Sequence, residues 1–138
     1  MSIGKTTQIM GPVVDVMFES GELPEIYSAL EITLEDNSIL VCEVQQHLGE
    51  NTIRSISMGP TEGLARGMEA KSTGKPIQAP VGREVLGRII NVTGEAVDEM
   101  GPINNKEFLP IHREPPTFEE QETKAEMLVT GIKVLDLL

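Results

Sequence analysis

Short runs of alternating apolar and polar residues, each closed by glycine, proline or asparagine, govern what this chain can fold into. Successive side chains of a strand point to opposite faces, so such alternation marks a half-buried strand. Thr6 to Met10 is one run, stopped by Gly11-Pro12. Val13, Val14, Val16 and Phe18, with Asp15 and Met17 between them, form a second. Ser20-Gly21-Glu22 and Pro24 mark a loop. Leu30, Ile32 and Leu34 then alternate with Glu31 and Thr33, and Asp36-Asn37 supplies a tight turn. Leu40 to His47 follows, with Cys42, Val44 and Gln46 expected on one face. Ile53, Ser55 and Ser57 alternate with Arg54, Ile56 and Met58 as far as Gly59-Pro60. Roughly six strands at about 8–12-residue spacing, with no long helical pattern between them, predict a small antiparallel barrel or sandwich. A barrel is preferred because closure removes exposed strand edges. Residues 1–80 are therefore read as an all-β domain.

The texture then changes. Lys75-Pro76, Ala79-Pro80 and Gly82 make a junction that reads as a domain boundary, leaving 81–138 as a second segment. Leu86 to Val92 is expected to be an apolar strand, and Glu95 to Pro102 a polar turn. Pro110, Pro115 and Pro116 argue against a helix before residue 117, since proline lacks the N–H that a helix interior uses. Thr117 and Glu120 have the spacing of a capping box, although the apolar stripe behind them is weak. Ile132, Leu135 and Leu138 recur at helical spacing and predict a helix with Thr130 as its N-cap. That helix is still running at Leu138, so the chain reads as cut short.

Composition narrows the function classes. Hydrophobic residues are 39% of the 138, enough for a core, but aromatics are only 3%, so that core rests on Ile, Val, Leu and Met. A formal net charge of -11 argues for a soluble chain and disfavours nucleic acid or an anionic membrane as partner. No apolar run approaches the roughly 20 residues needed to span a bilayer. The opening Met1-Ser2-Ile3-Gly4-Lys5 has neither a secretory nor a transit pattern, which points to a cytosolic chain. Cys42 is the only cysteine, so no internal disulfide or cysteine-cluster metal site is expected. Asn91-Val92-Thr93 matches a glycosylation acceptor but is read as an ordinary strand end.

The candidate chemical motifs are weak. Gly4-Lys5-Thr6 resembles the end of a phosphate-binding P-loop, yet no room precedes it for the strand and first glycine that build the cradle. Gly74-Lys75 is followed by Pro76, which offers Mg²⁺ no hydroxyl. His47 and His112 fall in no metal-binding spacing, and Cys42 on a strand face reads as a small core residue. The pairs Asp98-Glu99 and Glu119-Glu120 are adjacent in sequence, so their side chains diverge, and they read as a solvated acidic face. No catalytic, cofactor-binding or metal-ligating residue is predicted.

An ordered set of phrases is more specific than any of these. It runs Gly11-Pro12-Val13-Val14-Asp15-Val16, then Leu40-Val41-Cys42-Glu43-Val44, Leu48-Gly49 and Arg54-Ser55-Ile56-Ser57-Met58. Thr61-Glu62-Gly63-Leu64-Ala65-Arg66-Gly67, Gly74-Lys75-Pro76-Ile77 and Pro80-Val81-Gly82 come next. Leu86-Gly87-Arg88-Ile89-Ile90-Asn91-Val92, Gly94-Glu95, Asp98, Pro110-Ile111-His112-Arg113 and Thr130-Gly131-Ile132-Lys133-Val134-Leu135-Asp136 complete it. In order and spacing these resemble the beta subunit of F-type ATP synthases across nearly the whole chain, in a bacterial form without a targeting extension. Ala96 departs from the proline common there.

The resemblance implies a mainly β fold: a six-stranded barrel over 1–80, then the opening of an α/β P-loop nucleotide-binding domain over 81–138. That family's P-loop, catalytic glutamate and adenine-binding aromatic would lie beyond Leu138, so no site residue carries over. For the whole subunit it implies rotary ATP synthesis or hydrolysis coupled to proton transport, with Mg-ATP/ADP as cofactor. The implied partners are alpha subunits in an alternating alpha3beta3 ring and a gamma subunit, at the cytoplasmic face of a bacterial inner membrane. The chain itself is expected to be inactive, a monomer or weak oligomer, and to serve ring assembly. Two other readings stand beside it: a nucleic-acid-binding barrel of a related hexameric ATPase, and the non-catalytic alpha subunit.

Overall fold

A computed structural model describes residues 2–19, 23–124 and 126–137. Among the described residues there are eight strands and one α-helical turn: β1 (Ile3–Met10), β2 (Val13–Phe18), β3 (Ser28–Thr33), β4 (Ile39–Gly49), β5 (Thr52–Ser57), β6 (Glu69–Pro76), β7 (Gln78–Val81), β8 (Glu107–Pro110) and α1 (Lys133–Asp136). The first six close an antiparallel barrel in the order β1-β2-β5-β4-β3-β6, and β7 pairs with β8 in a separate two-stranded sheet. The expected loop at Ser20-Gly21-Glu22 lies outside the described residues, as does Leu138 of the expected helix.

Alternation becomes a core because cross-strand partners share a face. Val14 faces Ser55 and Ser55 faces Val44, while Leu30 faces Cys42 and Cys42 faces Ser57. Phe18, Val16, Ile32, Ile53 and Ala70 complete an interior with essentially no exposure. Small hydroxyl residues share this interior, and Ser55 and Thr6 find backbone partners. Ser55 Oγ donates to the Val14 carbonyl at 2.7 Å, and Thr6 Oγ1 donates to the Ala65 carbonyl at 2.7 Å while accepting the Met68 N–H at 3.0 Å. Among the described residues no buried side-chain nitrogen or oxygen lacks a partner. Gly4 is inward on β1, where a Cβ would come within 2.7 Å of Val16 Cγ1 and 2.9 Å of the Met17 carbonyl.

Closure needs bent strands, and irregularities in register supply the bends. They fall at Thr6/Gln8 on β1, at Val44/Gln46 and His47/Gly49 on β4, and at Ser28/Leu30 on β3. The second of these corrects the expected face of β4. Cys42 and Val44 point inward, but beyond the bulge Gln46 is exposed. Between β4 and β5, Glu50 and Asn51 both have positive φ, 49° and 58°, the backbone that a two-residue hairpin demands.

Other expectations change more. β6 contains Lys75 and Pro76, so the first half of the predicted junction is the end of a barrel strand. The apolar strand expected at Leu86–Val92 is not a strand. Arg83–Val85 forms a single 3-10 turn, Gly87 has φ 73°, and Ile90 bridges Ala96. With no neighbouring sheet to pair with, Leu86 and Ile89 stay 75% and 64% exposed. The helix expected after Thr130 is the single turn α1, whose N-cap is Ile132 without a side-chain cap. Thr130 instead donates its N–H and hydroxyl to Asp136 Oδ1, at 2.9 and 2.7 Å, and Gly131 N–H donates to Oδ2. At Thr117 the capping geometry does form, with its N–H donating to Glu120 Oε2 at 2.9 Å, but a turn rather than a helix follows.

The two isoleucines of β5 test this architecture. Ile53 is fully buried and Ile56 is 39% exposed. Ile53→Ala is expected to cost about 2–5 kcal/mol in urea unfolding, from lost burial plus a residual cavity. Ile56→Ala should cost less than about 1 kcal/mol. Equal losses would mean that the inward and outward faces are misassigned.

Candidate interaction surface

Of the residues that carry chemistry in the sequence, the structure gathers few. Gly4-Lys5-Thr6 lies within strand β1, not in a loop before a helix. Lys5 reaches Glu19 at 3.1 Å, and Thr6 is turned into the core. Gly74-Lys75-Pro76 ends β6. Cys42 is buried beside Ser55 and Ser57, and burial pushes its thiol up to about 11, so it is a core residue with little thiolate at neutral pH. His47 Nε2 donates to the Pro24 carbonyl at 2.7 Å, tying the end of β4 to the loop before β3. Among the described residues no three His, Cys, Asp or Glu side chains gather in a metal-binding cluster, and no helix is long and apolar enough to cross a membrane.

What the fold does build is an outer wall with unusual carboxylates. Asp15 projects outward from β2 yet is 4% exposed, because Arg54 on neighbouring β5 covers it. The guanidinium donates from Nε and Nη2 to the two carboxylate oxygens, each at 2.9 Å, and this bidentate fork raises the Arg54 pKa. Glu43 projects outward from β4 and is also 4% exposed. Gln45 Nε2 donates to one of its oxygens at 2.6 Å, and His112 Nε2 donates to the other at 2.9 Å. The His112 ring stacks on Tyr27 with centroids 4.2 Å apart. Nothing in the one-dimensional pattern marks these partners, since 69 residues separate His112 from Glu43.

Beside the Asp15–Arg54 pair, the register sets Met10 opposite Val13 and Val13 opposite Ile56. This gives an apolar row across β1, β2 and β5, with Met10 44% and Ile56 39% exposed. A groove runs elsewhere, between the β3–β4 turn and residues 91–95. Its apolar lining includes Leu34, Ile39 and Val92, its charged lining is Glu31, Asp36, Glu62 and Glu95, and it holds no Lys or Arg. A polyphosphate there would meet only like charge. The aromatics build no stacking platform for bases either. Phe18 is in the core, Tyr27 already stacks on His112, and Phe108 and Phe118 lie beyond the barrel.

The acidic pair Asp98-Glu99 separates as adjacent residues do. Arg88 Nε and Nη2 donate to the two Asp98 oxygens at 2.6 and 2.8 Å, and Arg88 also reaches the Gly101 carbonyl. Ile89 and Met100 N–H groups donate to the same carboxylate. The Arg88 bonds, helped by these backbone donors against desolvation, hold Asp98 well below the usual carboxylate range. A lowered folded-state pKa contributes stability that is present above the unfolded value, about 3.9, and is lost as pH falls through the folded value. The Asp98 carboxyl carbon, followed by NMR, should show no titration midpoint between pH 7 and about 3.9, and Arg88→Gln should return the midpoint toward that value. A wild-type midpoint at or above it would break this account.

A family model described as "ATP synthase alpha/beta family, beta-barrel domain" matches residues 6–74, which run from β1 into β6.

Proposed function

The chain belongs to the ATP synthase alpha/beta family, and we propose that its barrel is a ring-assembly element of the catalytic beta subunit of a bacterial F-type enzyme. The observation that carries this is the coincidence of the matched span with a closed barrel whose outer wall offers an apolar row. Closure leaves no strand edge for augmentation, so association must use side chains on that wall. Met10, Val13 and Ile56 supply apolar area there, flanked by the Asp15–Arg54 pair. Copies of a chain with net charge -11 repel one another, and alternation with a different subunit relieves that repulsion. Contacts between unlike surfaces are directional and close a ring when the rotation permits. Contacts that are weak singly add together on ring closure through high effective concentration.

The finer assignment to beta over alpha rests on the Glu43-Val44, Leu48-Gly49 and Arg54-x-Ile56-x-Met58 series. In this reading residues 81–138 open a P-loop nucleotide-binding domain, and Mg-ATP/ADP binds residues beyond Leu138. The parent subunit then alternates with alpha subunits in an alpha3beta3 ring around gamma, peripheral to the cytoplasmic face of the inner membrane, and couples ATP turnover to proton transport.

Two experiments bear on the two halves of the proposal. Deleting residues 1–80 from the whole subunit and mixing it with alpha subunits should abolish the hexamer in sedimentation velocity. Normal hexamers would show that the barrel is not the assembly element. Titration calorimetry of the 138-residue chain with Mg-ATP should give no saturable heat at micromolar concentrations. A one-to-one isotherm in that range would contradict placing the nucleotide site beyond Leu138.

A further inference from the structure

The chain leaves the barrel at the end of β6 and returns to it. Ile77, the first residue after β6, is 4% exposed. Residues 78–81 then run as β7, and β8 comes back antiparallel with Gln78 opposite Pro110 and Val81 opposite Glu107. Past β8, the Ile111 N–H donates to the Ile77 carbonyl at 3.0 Å, and His112 reaches Glu43 on the barrel wall and stacks on Tyr27. A two-stranded sheet is marginal by itself. The turn at 91–96 braces it from one side, since a Cβ on Gly94 would lie 2.8 Å from Pro80 Cδ. Ile77 and His112 fasten it to the barrel at its two ends.

We infer that residues 77–112 form a strap clasped to the barrel by His112 and Glu43, so that the first free joint after the barrel lies past His112 and not at the Pro/Gly junction of 75–82. His112 is a positioning residue. Its ring closes over an outward-facing carboxylate that Gln45 satisfies on one side only, and the stack on Tyr27 fixes the ring plane. After His112 the chain runs through Arg113 and Glu114 to Pro115-Pro116, and residues 113–124 are exposed throughout. Barrel and strap turn as one body, and any swing of the chain beyond Pro116 pivots about that segment. The inference stands on the chain alone and is independent of the ring reading.

Amide hydrogen exchange on the 138-residue protein tests it. In the wild type the Ile111 amide should be protected along with Leu109. His112→Ala should speed exchange at both by at least tenfold while Val16 and Ile53 in the barrel are unchanged. His112→Gln, whose amide N–H₂ can still donate to Glu43, should restore part of the protection. Ile111 and Leu109 exchanging within twofold of wild type in His112→Ala would overturn the clasp. Limited trypsin digestion locates the joint independently. Arg83, Lys106 and Arg113 are each followed by glutamate, and Pro115 beyond Glu114 makes the third bond the poorest of them by sequence, so first cleavage there reports structure. The wild type should be cut first after Arg113 among them, and first cleavage after Arg83 or Lys106 would place the joint inside the strap and overturn the inference.

Discussion

Closure of the barrel through β6 is the constraint on which the rest depends. β1 meets β6 by pairing Ile3 with Lys71 and Lys5 with Glu69, and β3 meets the same strand by pairing Ile32 with Ala70. These contacts join residues more than sixty positions apart for β1, so chain entropy opposes them until the interior rewards them. The reward is a narrow interior that must be filled without voids. Six strands leave little room, and small side chains therefore share it with large ones. Gly4 on β1 lets Val16 and Phe18 approach, and Ala70 and Ser72 on β6 leave space for Leu30 and Ile32. Buried hydroxyls such as those of Ser55 and Thr6 then bond the backbone, because an unpaired one would cost about 1–3 kcal/mol.

The same constraint explains which elements are legible in the sequence. Strands β2 to β5 are, because each carries at least one large apolar residue inward (Val, Phe, Leu or Ile) in alternation with outward polar ones, which makes a period-two signal. β6 is not, since its inward residues are Ala70 and Ser72 and its apolar content is low. The face of Gln46 escapes periodicity because a bulge adds one residue to the count and leaves no mark in the pattern. Leu86 to Val92 has a strand's composition but no partner strand, and a strand without a ladder cannot form. β7 and β8 are four residues each with a proline in both, too short for any pattern to emerge. The carboxylate partnerships of the outer wall are equally hidden, because Asp15–Arg54 and Glu43–His112 are contacts of topology, 39 and 69 residues apart.

Those partnerships show how an acidic chain keeps a usable surface. With 22 Asp and Glu against 11 Lys and Arg, most carboxylates must stand in water. Two on the barrel wall do not, and each is covered by a cationic or donor side chain carried on another element. Covering Asp15 with Arg54 leaves the neighbouring row of Met10, Val13 and Ile56 beside a neutralised pair instead of a bare charge. A partner surface approaching that row then has less charge to desolvate, which is the costly step in burying polar groups at an interface.

Rigidity matters to a ring in a second way. A ring element that holds neighbours in register is useful only if its orientation reaches the chain beyond it. A barrel ending in a loose Pro/Gly linker at 75–82 would pass on position but not direction. The chain instead folds back, seats Ile77, pairs β7 with β8 and closes His112 on Glu43 before it departs. Two attachment points define a line, and the stacked ring on Tyr27 adds resistance to twist about it. Direction is therefore fixed on the side of the barrel that carries β3 and β4, while the apolar row lies on β1, β2 and β5. The two tasks meet where β5 pairs with β4, because Ile56 at the end of the row stands directly opposite Glu43 of the clasp, so a neighbour docked on the row abuts the strap.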